Sequence, residues 1–568
     1  MQQYDNILNT KTNQWQIPEH FNIAHGCIRQ HVDQGRGEQL AMIVEDQQRG
    51  TSQLTYQQLD EQSGRFKRVL NSLRLAVGDR VLIRLPNSVY YPISFFGVLK
   101  HGAIAVPTST LLSASEVVYL AKDSGAKVLV TDQCMWSELV DMLDQLGSVH
   151  TVLLTGAKGR LPVDDKINNH GVNDNERTIE VIDLEQVLTA TDADNQIVNT
   201  LAQDPAYLVY TSGTTGFPKG VLHGHKSLLG RLPASRYWFD FKSADRVLHS
   251  GKFNWTYVLG SALMDPLFHG HSVIVYEGEN RADVWPMLIN KHRCTIFIGV
   301  PTIYRQIIEK TQVKGEDLPS LRHCMSAGEH LSDEMLARWR QRFAMDVYEA
   351  IGMSECSYYI SQRTDMPIRP GSAGFVQPGH RVALLNDQFE PVTDNQEGMI
   401  VIEQGDPGLF LRYWQRPDET AMSHQRGYFI TGDYARRDDD GYIWFIGRKD
   451  EIINTFGYRV SPYEIERVMK THPLVSDCVA LAENISPDKA IVSICVISEG
   501  QEPGNAQQLL DFANAHLARY KAPKKVYFYQ QFPRTKNGKV IRKKLVSDIE
   551  KMAHKQTQPM DRTIEASS

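Results

Sequence analysis

The stretch AYLVYTSGTTGFPKG, from Ala206 to Gly220, joins a short apolar run to a loop rich in glycine and hydroxyl groups. The apolar run predicts a buried β-strand. Glycines let the backbone of such a loop adopt positive φ angles and approach a ligand closely. Successive N–H groups, hydroxyls and a lysine surround an anion well, so the loop is predicted to bind polyphosphate. The predicted phosphate-binding residues are Thr211, Ser212, Gly213, Thr214, Thr215, Gly216 and Lys219.

The loop differs from a Walker A loop, which has the pattern G-x-x-x-x-G-K-[ST]. Here Lys219 follows Pro218 and precedes Gly220. A surface turn rich in glycine and threonine is the alternative interpretation. A simple turn does not require hydroxyls, glycines and a lysine at so many positions, and we therefore favour the phosphate loop.

Strands and helices alternate on both sides of this loop. The β-rich runs VLIRL (81–85), KVLVT (127–131) and SVIVY (272–276) lie among helix-like segments such as Ala114–Ser124. This alternation predicts an α/β fold of layered, largely parallel sheets. After about residue 370 glycine and proline become frequent and the strands become short, which predicts a β-rich subdomain closing the large domain.

The chain has 568 residues, which is too long for a single hydrophobic core. A compact α+β pattern follows the charged segment that ends near Asp450. We therefore predict a large N-terminal domain over residues 1–449 and a small C-terminal domain over residues 450–550. The polar tail over residues 551–568 is predicted to lack structure.

The overall composition excludes several classes of protein. A formal net charge of -6 does not indicate the positively charged surface that nucleic-acid-binding proteins need. The seven cysteines are scattered and form no C-x-x-C pair, which argues against a disulfide framework and a zinc site. The N-terminus is polar, and no window approaches the roughly 20 apolar residues of a membrane span. These features predict a cytoplasmic protein without a nucleic-acid partner or an integral membrane segment.

The loop at 210–220 resembles the signature of the adenylate-forming superfamily, which includes acyl-CoA synthetases, peptide-synthetase adenylation domains and luciferases. The resemblance covers roughly residues 20 to 548, and the further motifs follow in the expected order. They are SAGEH (326–330, with His330 in place of proline), YEAIGMSE (348–355), YFITGD (428–433), the hinge block 440–459 and PRTKNGK (533–539).

The resemblance implies a nucleotide site in the large domain. Gly328 and Glu329 match the adenine-facing segment, and Glu349 matches a further position of the ATP site. Ser354 matches a hydroxyl that contacts phosphate. Glu355 matches the carboxylate that helps to hold Mg²⁺, an ion that prefers oxygen ligands.

The resemblance also assigns roles to residues around the hinge. Asp433 matches the residue that binds both ribose hydroxyls, and Arg448 matches a ribose-contacting arginine. Asp450 matches the hinge itself. Gly457 matches the glycine that lines the channel for CoA, and Arg459 matches an arginine that meets the ATP phosphates.

Lys539 resembles the catalytic lysine of the superfamily and, with Glu355, completes the expected catalytic pair. An ammonium group there would stabilise charge while a carboxylate attacks the α-phosphate of ATP. The implied reaction makes an acyl-AMP and then, after the C-terminal domain swings about Asp450, an acyl-CoA.

ATP, Mg²⁺ and CoA are the implied cofactors. Since acetylation would remove the lysine charge, a lysine acetyltransferase and a deacetylase are further expected partners.

The small-molecule carboxylic acid is expected to bind near Asn254, Trp255, Gly299 and Gly352. Acetate-specific members carry a bulky tryptophan at the position matching Gly352, so glycine there predicts an acid larger than acetate. The segments FNWTY, SAGEHL and SPYEIE are most similar to benzoate- and medium-chain-type acyl-CoA ligases. A medium-chain fatty acid and an aryl acid both stay open, as does the oligomeric state.

Two other functions are alternatives to a CoA ligase. One is an adenylating enzyme that loads a carrier protein or stops at acyl-AMP, although Gly457 and the lack of a long insertion favour CoA. The other is a catalytically silent nucleotide-binding regulator. Such a regulator would be expected to lack Lys539 or Glu355, and both are present.

Overall fold

The computed structural model describes residues 6–157, 179–211, 218–328, 331–449, 451–455, 458–486, 489–498, 504–535 and 540–556. The chain forms two compact units. The first comprises Met1–Leu331, Met335–Val382 and Ile402–Ile430. The second comprises Ser332–Glu334, Ala383–Val401 and Thr431–Ser568.

An eight-stranded sheet of the first unit carries the strand that leads into the phosphate loop. Its six strands from Pro205–Thr211 to Glu180–Asp183 are parallel, and the other two are antiparallel. In spatial order the strands are Arg412–Tyr413, Lys219–Gly224, Pro205–Thr211, Ile104–Pro107, Arg80–Arg84, Val128–Asp132, Thr151–Thr155 and Glu180–Asp183.

A nine-stranded sheet forms the other layer of strands in the first unit. Its six central strands are parallel, and antiparallel strands lie at both edges. In spatial order they are Phe375–Val376, Ile360–Ser361, Val347–Ile351, His323–Ala327, Ile296–Ile298, Arg246–His249, Ser272–Glu277, Leu40–Asp46 and Gly50–Thr55. The predicted α/β fold with largely parallel sheets is therefore confirmed.

Helices connect these strands, and their ends follow local sequence signals. Ser113 caps the helix Ala114–Ser124 through a capping box with Glu116, and Gly125 ends it at φ 63°. The α-helices before residue 431 are Gln30–Asp33, Tyr56–Ser72, Tyr90–His101, Ala114–Ser124, Leu184–Ala190, Leu232–Tyr237, Thr256–Val258, Asp265–Phe268, Val284–His292, Pro301–Lys310, Asp333–Phe343 and Pro417–Ser423. Shorter helical turns are His25–Arg29, Gln133–Met135, Val140–Gln145, His225–Ser227, Leu229–Arg231, Leu259–Met264 and Gly315–Asp317.

Apolar residues of the parallel strands form the cores of the first unit. Leu82, Leu129 and Val152 lie on neighbouring strands of the eight-stranded sheet and are fully buried in one cluster. Ile274, Leu248 and Phe297 do the same in the nine-stranded sheet. Strands buried on both faces read as continuous apolar runs, which is why the sequence pattern identified them.

The second unit contains a small α+β body and several short strands. Its three-stranded sheet has the order Asp477–Ser486, Lys489–Ile497 and Lys525–Phe528, and its α-helices are Pro462–Met469, Gly504–His516 and Arg542–Gln556. The remaining strands among the described residues are Leu8–Asn9, Gln14–Trp15, Val382–Leu385, Glu397–Glu403, His424–Gln425, Tyr428–Arg437, Ile443–Arg448, Ile453–Thr455 and Tyr458–Val460.

The last helix extends beyond the predicted start of the unstructured tail. Leu545 and Ile549 are one turn apart and are buried in a cluster with Val479 and Leu481. This contact anchors a helix that continues to Gln556, so residues 551–556 are helical rather than unstructured. The rest of the predicted tail lies outside the described residues. Within the described part of the chain, none of the helices has the length and apolar character needed to traverse a bilayer.

Candidate active site

The phosphate loop connects two adjacent antiparallel strands. Thr211 ends the strand Pro205–Thr211 and lies directly opposite Lys219, the first residue of Lys219–Gly224. This pairing fixes both ends of the loop at one position in the sheet. The predicted residues Ser212, Gly213, Thr214, Thr215 and Gly216 lie outside the described residues.

Four neighbouring parallel strands of the nine-stranded sheet end at one edge. They are Arg246–His249, Ile296–Ile298, His323–Ala327 and Val347–Ile351. The predicted residues Asn254, Trp255, Gly299, Gly328 and Gly352 all lie in the segments that follow these strands. Ligands of open parallel sheets bind outside the carboxyl ends of the strands, so this edge is the expected place for a substrate.

Glu349 lies inside the strand Val347–Ile351 and is buried. Its Oε1 accepts a hydrogen bond of 2.7 Å from the backbone N–H of Leu331. Leu331 follows Glu329 and His330, which lie outside the described residues. The contact fixes the end of the predicted adenine-facing segment. Gly328, at the start of that segment, adopts φ 95°.

Gly352 has a backbone requirement that the sequence did not reveal. A Cβ atom at this position would lie 2.5 Å from the backbone N of Tyr358. The turn is closed by a 2.9 Å hydrogen bond from the N–H of Met353 to the carbonyl of Cys356. Glycine is therefore needed for the close approach of two backbone segments, in addition to any effect on the size of the acid pocket.

Hydrogen bonds to the backbone carbonyls of Ser354 and Glu355 join this segment to a phosphate-loop strand and to the residues just before the strand Arg412–Tyr413. His223 Nε2 lies 2.7 Å from the carbonyl O of Ser354. Burial lowers the pKa of His223 to about 4, so its neutral ring donates from Nε2 to that carbonyl. The N–H of Phe410 donates to the carbonyl of Glu355 at 2.8 Å. The segment with Ser354 and Glu355 and the phosphate-loop segment are thus held together although they follow strands of different sheets.

A chain of charged and aromatic groups links the side chains of these motifs. Lys219 Nζ lies 2.5 Å from Glu419 Oε2 and 5.3 Å from the centre of the Tyr413 ring. The hydroxyl of Tyr413 donates a 2.8 Å hydrogen bond to Oε1 of Glu355, whose side chain is half-buried. The structure therefore connects the phosphate-loop lysine with the expected magnesium ligand.

Sequence reasoning missed Tyr413 and Glu419. Neither belongs to a recognised phosphate motif, and both are about 200 residues from Lys219 in sequence. Pairing of Tyr413 with Val221 brings them to the site. The only sequence signal was the short apolar run around Phe410, which resembles many edge strands.

A buried polar cluster lies beside Glu355. His380 Nδ1 is 2.8 Å from Asp406 Oδ2, and Asp406 Oδ1 accepts a 2.8 Å hydrogen bond from the N–H of Gly408. Cys356 belongs to the same cluster, and burial raises the pKa of its thiol. The cluster fixes the turn that precedes Phe410.

Asp433 and Arg448, the predicted ribose-binding residues, are adjacent in the second unit. They lie opposite one another on the antiparallel strands Tyr428–Arg437 and Ile443–Arg448. Arg448 Nη1 is 3.6 Å from Asp433 Oδ1. The N–H of Asp433 donates to Thr431 Oγ1 at 3.1 Å. The two residues therefore lie together, and their contact with ribose stays a prediction.

Three predicted residues of the second unit, Asp450, Gly457 and Lys539, lie outside the described residues. Arg459 is described only through its backbone, which pairs with Asn454. The segment that carries Lys539 has fixed ends, because the N–H of Ile541 donates to the carbonyl of Pro533 at 2.8 Å.

Comparison with known proteins identifies the family. Residues 29–414 match the AMP-binding enzyme family, and residues 464–539 match the AMP-binding enzyme C-terminal domain. The first match spans more than half of the chain, and the chain therefore belongs to the AMP-binding enzyme family. The interpretation of the sequence as an AMP-dependent acid–thiol ligase of the acyl-CoA synthetase type is confirmed.

Similar proteins span nearly the whole chain. The uncharacterized acyl–CoA ligase YtcI of Bacillus subtilis is 28% identical over 520 residues, 90% of this chain and 93% of that protein. The 3-hydroxybenzoate–CoA/4-hydroxybenzoate–CoA ligase of Thauera aromatica is 29% identical over 539 residues, 94% of this chain and 98% of that protein. The crystal structure of the anthranilate CoA ligase AuaEII in complex with anthranoyl-AMP has a TM-score of 0.83 at 25% identity, covering 96% of this chain and 100% of that chain.

Replacement of Gly352 tests its backbone requirement. We expect Gly352→Ala to destabilise the first unit by about 2 kcal/mol, because the added Cβ meets a backbone atom that cannot move freely. Thermal unfolding and activity with several acids are the measurements. Gly37→Ala is the matched control, since its Cβ would meet the flexible Gln57 side chain at 3.2 Å. An unchanged melting temperature with selectivity shifted to small acids would show that Gly352 acts only on pocket size.

Proposed function

We propose that this AMP-forming acid–CoA ligase acts on an aryl acid. The observation that supports the ATP-dependent chemistry is the link from Lys219 through Tyr413 to Glu355, which joins a phosphate-loop cation to a carboxylate suited to a metal ion. ATP, a carboxylic acid and CoA are the substrates, and acyl-CoA, AMP and pyrophosphate are the products.

In the first half-reaction, a carboxylate oxygen of the acid forms a bond to the α-phosphorus of ATP, and the bond to pyrophosphate breaks. Thr211 and Lys219 at the ends of the phosphate loop would bind the phosphates. Asp433 is well suited to the ribose, because a carboxylate accepts hydrogen bonds from both hydroxyls of a diol. Lys539 would stabilise the charge that develops on the reacting groups.

Glu355 suits Mg²⁺, which prefers oxygen ligands and combines one or two carboxylates with phosphate oxygens. Its side chain is half-buried, and the hydrogen bond from Tyr413 restrains its orientation. When bound, Mg²⁺ would neutralise negative charge on the ATP phosphates. The hydroxyl of Ser354 would contact the same phosphates.

In the second half-reaction, the sulfur of CoA bonds to the acyl carbon, the thiol proton is released, and AMP leaves. We assign residues 450–550 to a C-terminal domain that turns about Asp450 between the two steps. The turn would withdraw Lys539 and bring Gly457 to the CoA channel. The match of residues 464–539 to the C-terminal domain of the family supports this division of the chain.

Aromatic side chains favour an aryl acid over a medium-chain fatty acid. Tyr257, next to the predicted Asn254 and Trp255, lies 6.1 Å from Tyr358 in an edge-to-face arrangement and 6.4 Å from Trp238. Rings at these separations interact favourably. Trp238 and Tyr358 are buried in the core, and Tyr257, which is partly buried, is the member of the group against which a substrate ring would pack. The hydroxybenzoate and anthranilate ligases among the similar proteins support the same class.

A substrate panel tests the proposed reaction. Purified protein with Mg-ATP is given benzoate, hydroxybenzoates, anthranilate, octanoate or acetate, and AMP release is measured with and without CoA. We expect CoA-dependent release with an aryl acid and none with acetate. The highest rate with octanoate would identify the fatty-acid alternative. Pyrophosphate exchange without CoA-stimulated turnover would indicate a carrier-protein acceptor, and no reaction with any acid would contradict the proposal.

The role of Lys539 is tested by separating the two half-reactions. We expect Lys539→Gln, which mimics acetylation, to slow acyl-AMP formation by roughly 100-fold, because one charge-stabilising donor is lost. Acyl-CoA formation from added acyl-AMP should be nearly unchanged. Lys544→Gln is the control, since Lys544 is exposed on the following helix. Equal loss of both half-reactions would contradict a role confined to adenylation.

A further inference from the structure

The strand Arg412–Tyr413 fixes the backbone of Tyr413 between the two motifs of the proposed site. Tyr413 pairs with Val221 of the phosphate-loop strand. Its N–H donates to Thr420 Oγ1 at 3.0 Å, and the next residue, Trp414, donates from its N–H to the carbonyl of Gly220 at 2.8 Å. These contacts fix the backbone of Tyr413 without any contribution from its hydroxyl group.

The hydroxyl of Tyr413 then makes a contact that strand pairing does not need. It donates to Oε1 of Glu355 at 2.8 Å, a distance typical of an O–H···O hydrogen bond. The ring of the same residue lies below the ammonium of Lys219, at 5.3 Å. One side chain therefore contacts both charged groups that the proposed function directs at the ATP phosphates.

A neutral donor suits this position better than a cation would. An arginine or lysine beside Glu355 would neutralise the carboxylate and weaken its attraction for Mg²⁺. The tyrosine hydroxyl orients the carboxylate while leaving its full negative charge, and a carboxylate has about four acceptor sites, so one hydrogen bond leaves room for a cation. Lys219 has a separate counter-charge in Glu419, at 2.5 Å.

We propose that Tyr413 is a positioning residue that holds the Glu355 carboxylate ready for Mg²⁺ through its hydroxyl group. The inference rests on the proposed function, in which Glu355 is the protein ligand of that ion. Hydrogen bonds to metal-binding carboxylates orient the ligand, and their loss commonly costs at least tenfold in metal affinity. The hydroxyl is thus expected to act on magnesium binding and not on binding of the acid.

The test uses Tyr413→Phe in the full-length protein. This change keeps the ring, its packing and its contact with Lys219, and removes only the hydroxyl. We expect the Mg²⁺ concentration needed for half-maximal ATP binding, measured by calorimetry, to rise about tenfold. Saturating Mg²⁺ should restore most of kcat, and the KM for the acid should stay unchanged.

Two comparisons make the result specific. Tyr527→Phe is the matched control, because Tyr527 also donates its hydroxyl to a glutamate, Glu483 Oε2 at 3.0 Å, in the second unit. It should leave the magnesium dependence of ATP binding unchanged. In a Glu355→Gln background, Tyr413→Phe should cause no further change, because the group it positions is gone.

Superimposable magnesium curves for the wild type and Tyr413→Phe would overturn the inference. An equal shift in the Glu355→Gln background would also overturn it, since Tyr413 would then act independently of Glu355. This binding cycle, the magnesium dependence of ATP binding in the wild type, Tyr413→Phe, Glu355→Gln and the double variant, requires no catalytic turnover. If the wild type released no AMP with any acid while the binding cycle behaved as expected, the proposed reaction would be wrong and the role of Tyr413 would stand.

Discussion

The antiparallel pairing of Pro205–Thr211 with Lys219–Gly224 is the constraint on which the rest of the site depends. It holds Thr211 and Lys219, the first and last residues of the phosphate loop, opposite one another. The same pair accepts Arg412–Tyr413 as its neighbour. Loss of this register would displace Lys219 and Tyr413 together, since a one-residue shift turns every side chain to the other face.

Two sheets contribute to the charged site, and hydrogen bonds to backbone carbonyls join them. The eight-stranded sheet supplies Lys219, and the nine-stranded sheet supplies Glu355 through the segment after Val347–Ile351. The hydrogen bonds of His223 and Phe410 to the carbonyls of Ser354 and Glu355 connect the two. These bonds do not depend on ionised side chains, so the framework is independent of the charges that it positions.

The sequence predicted those features that depend on local pattern. The strand before the phosphate loop, the helix Ala114–Ser124 and the parallel sheets follow from apolar runs and capping residues. The contacts of Tyr413 depend on the pairing of strands that are far apart in sequence. The steric limit at Gly352 depends on the close approach of two backbone segments. A local sequence pattern encodes neither feature. The sequence motifs therefore named candidate site residues, and they did not name Tyr413, which contacts two of those candidates.

We expect the reaction to pass through an acyl-adenylate. To test this route, an accepted acid with ¹⁸O in both carboxylate oxygens is supplied together with ATP and CoA, and the products are analysed by mass spectrometry. We expect one ¹⁸O in each AMP, because the oxygen that attacks the α-phosphorus leaves with AMP when CoA takes the acyl group. Unlabelled AMP, or label in inorganic phosphate or pyrophosphate, would contradict the acyl-adenylate route.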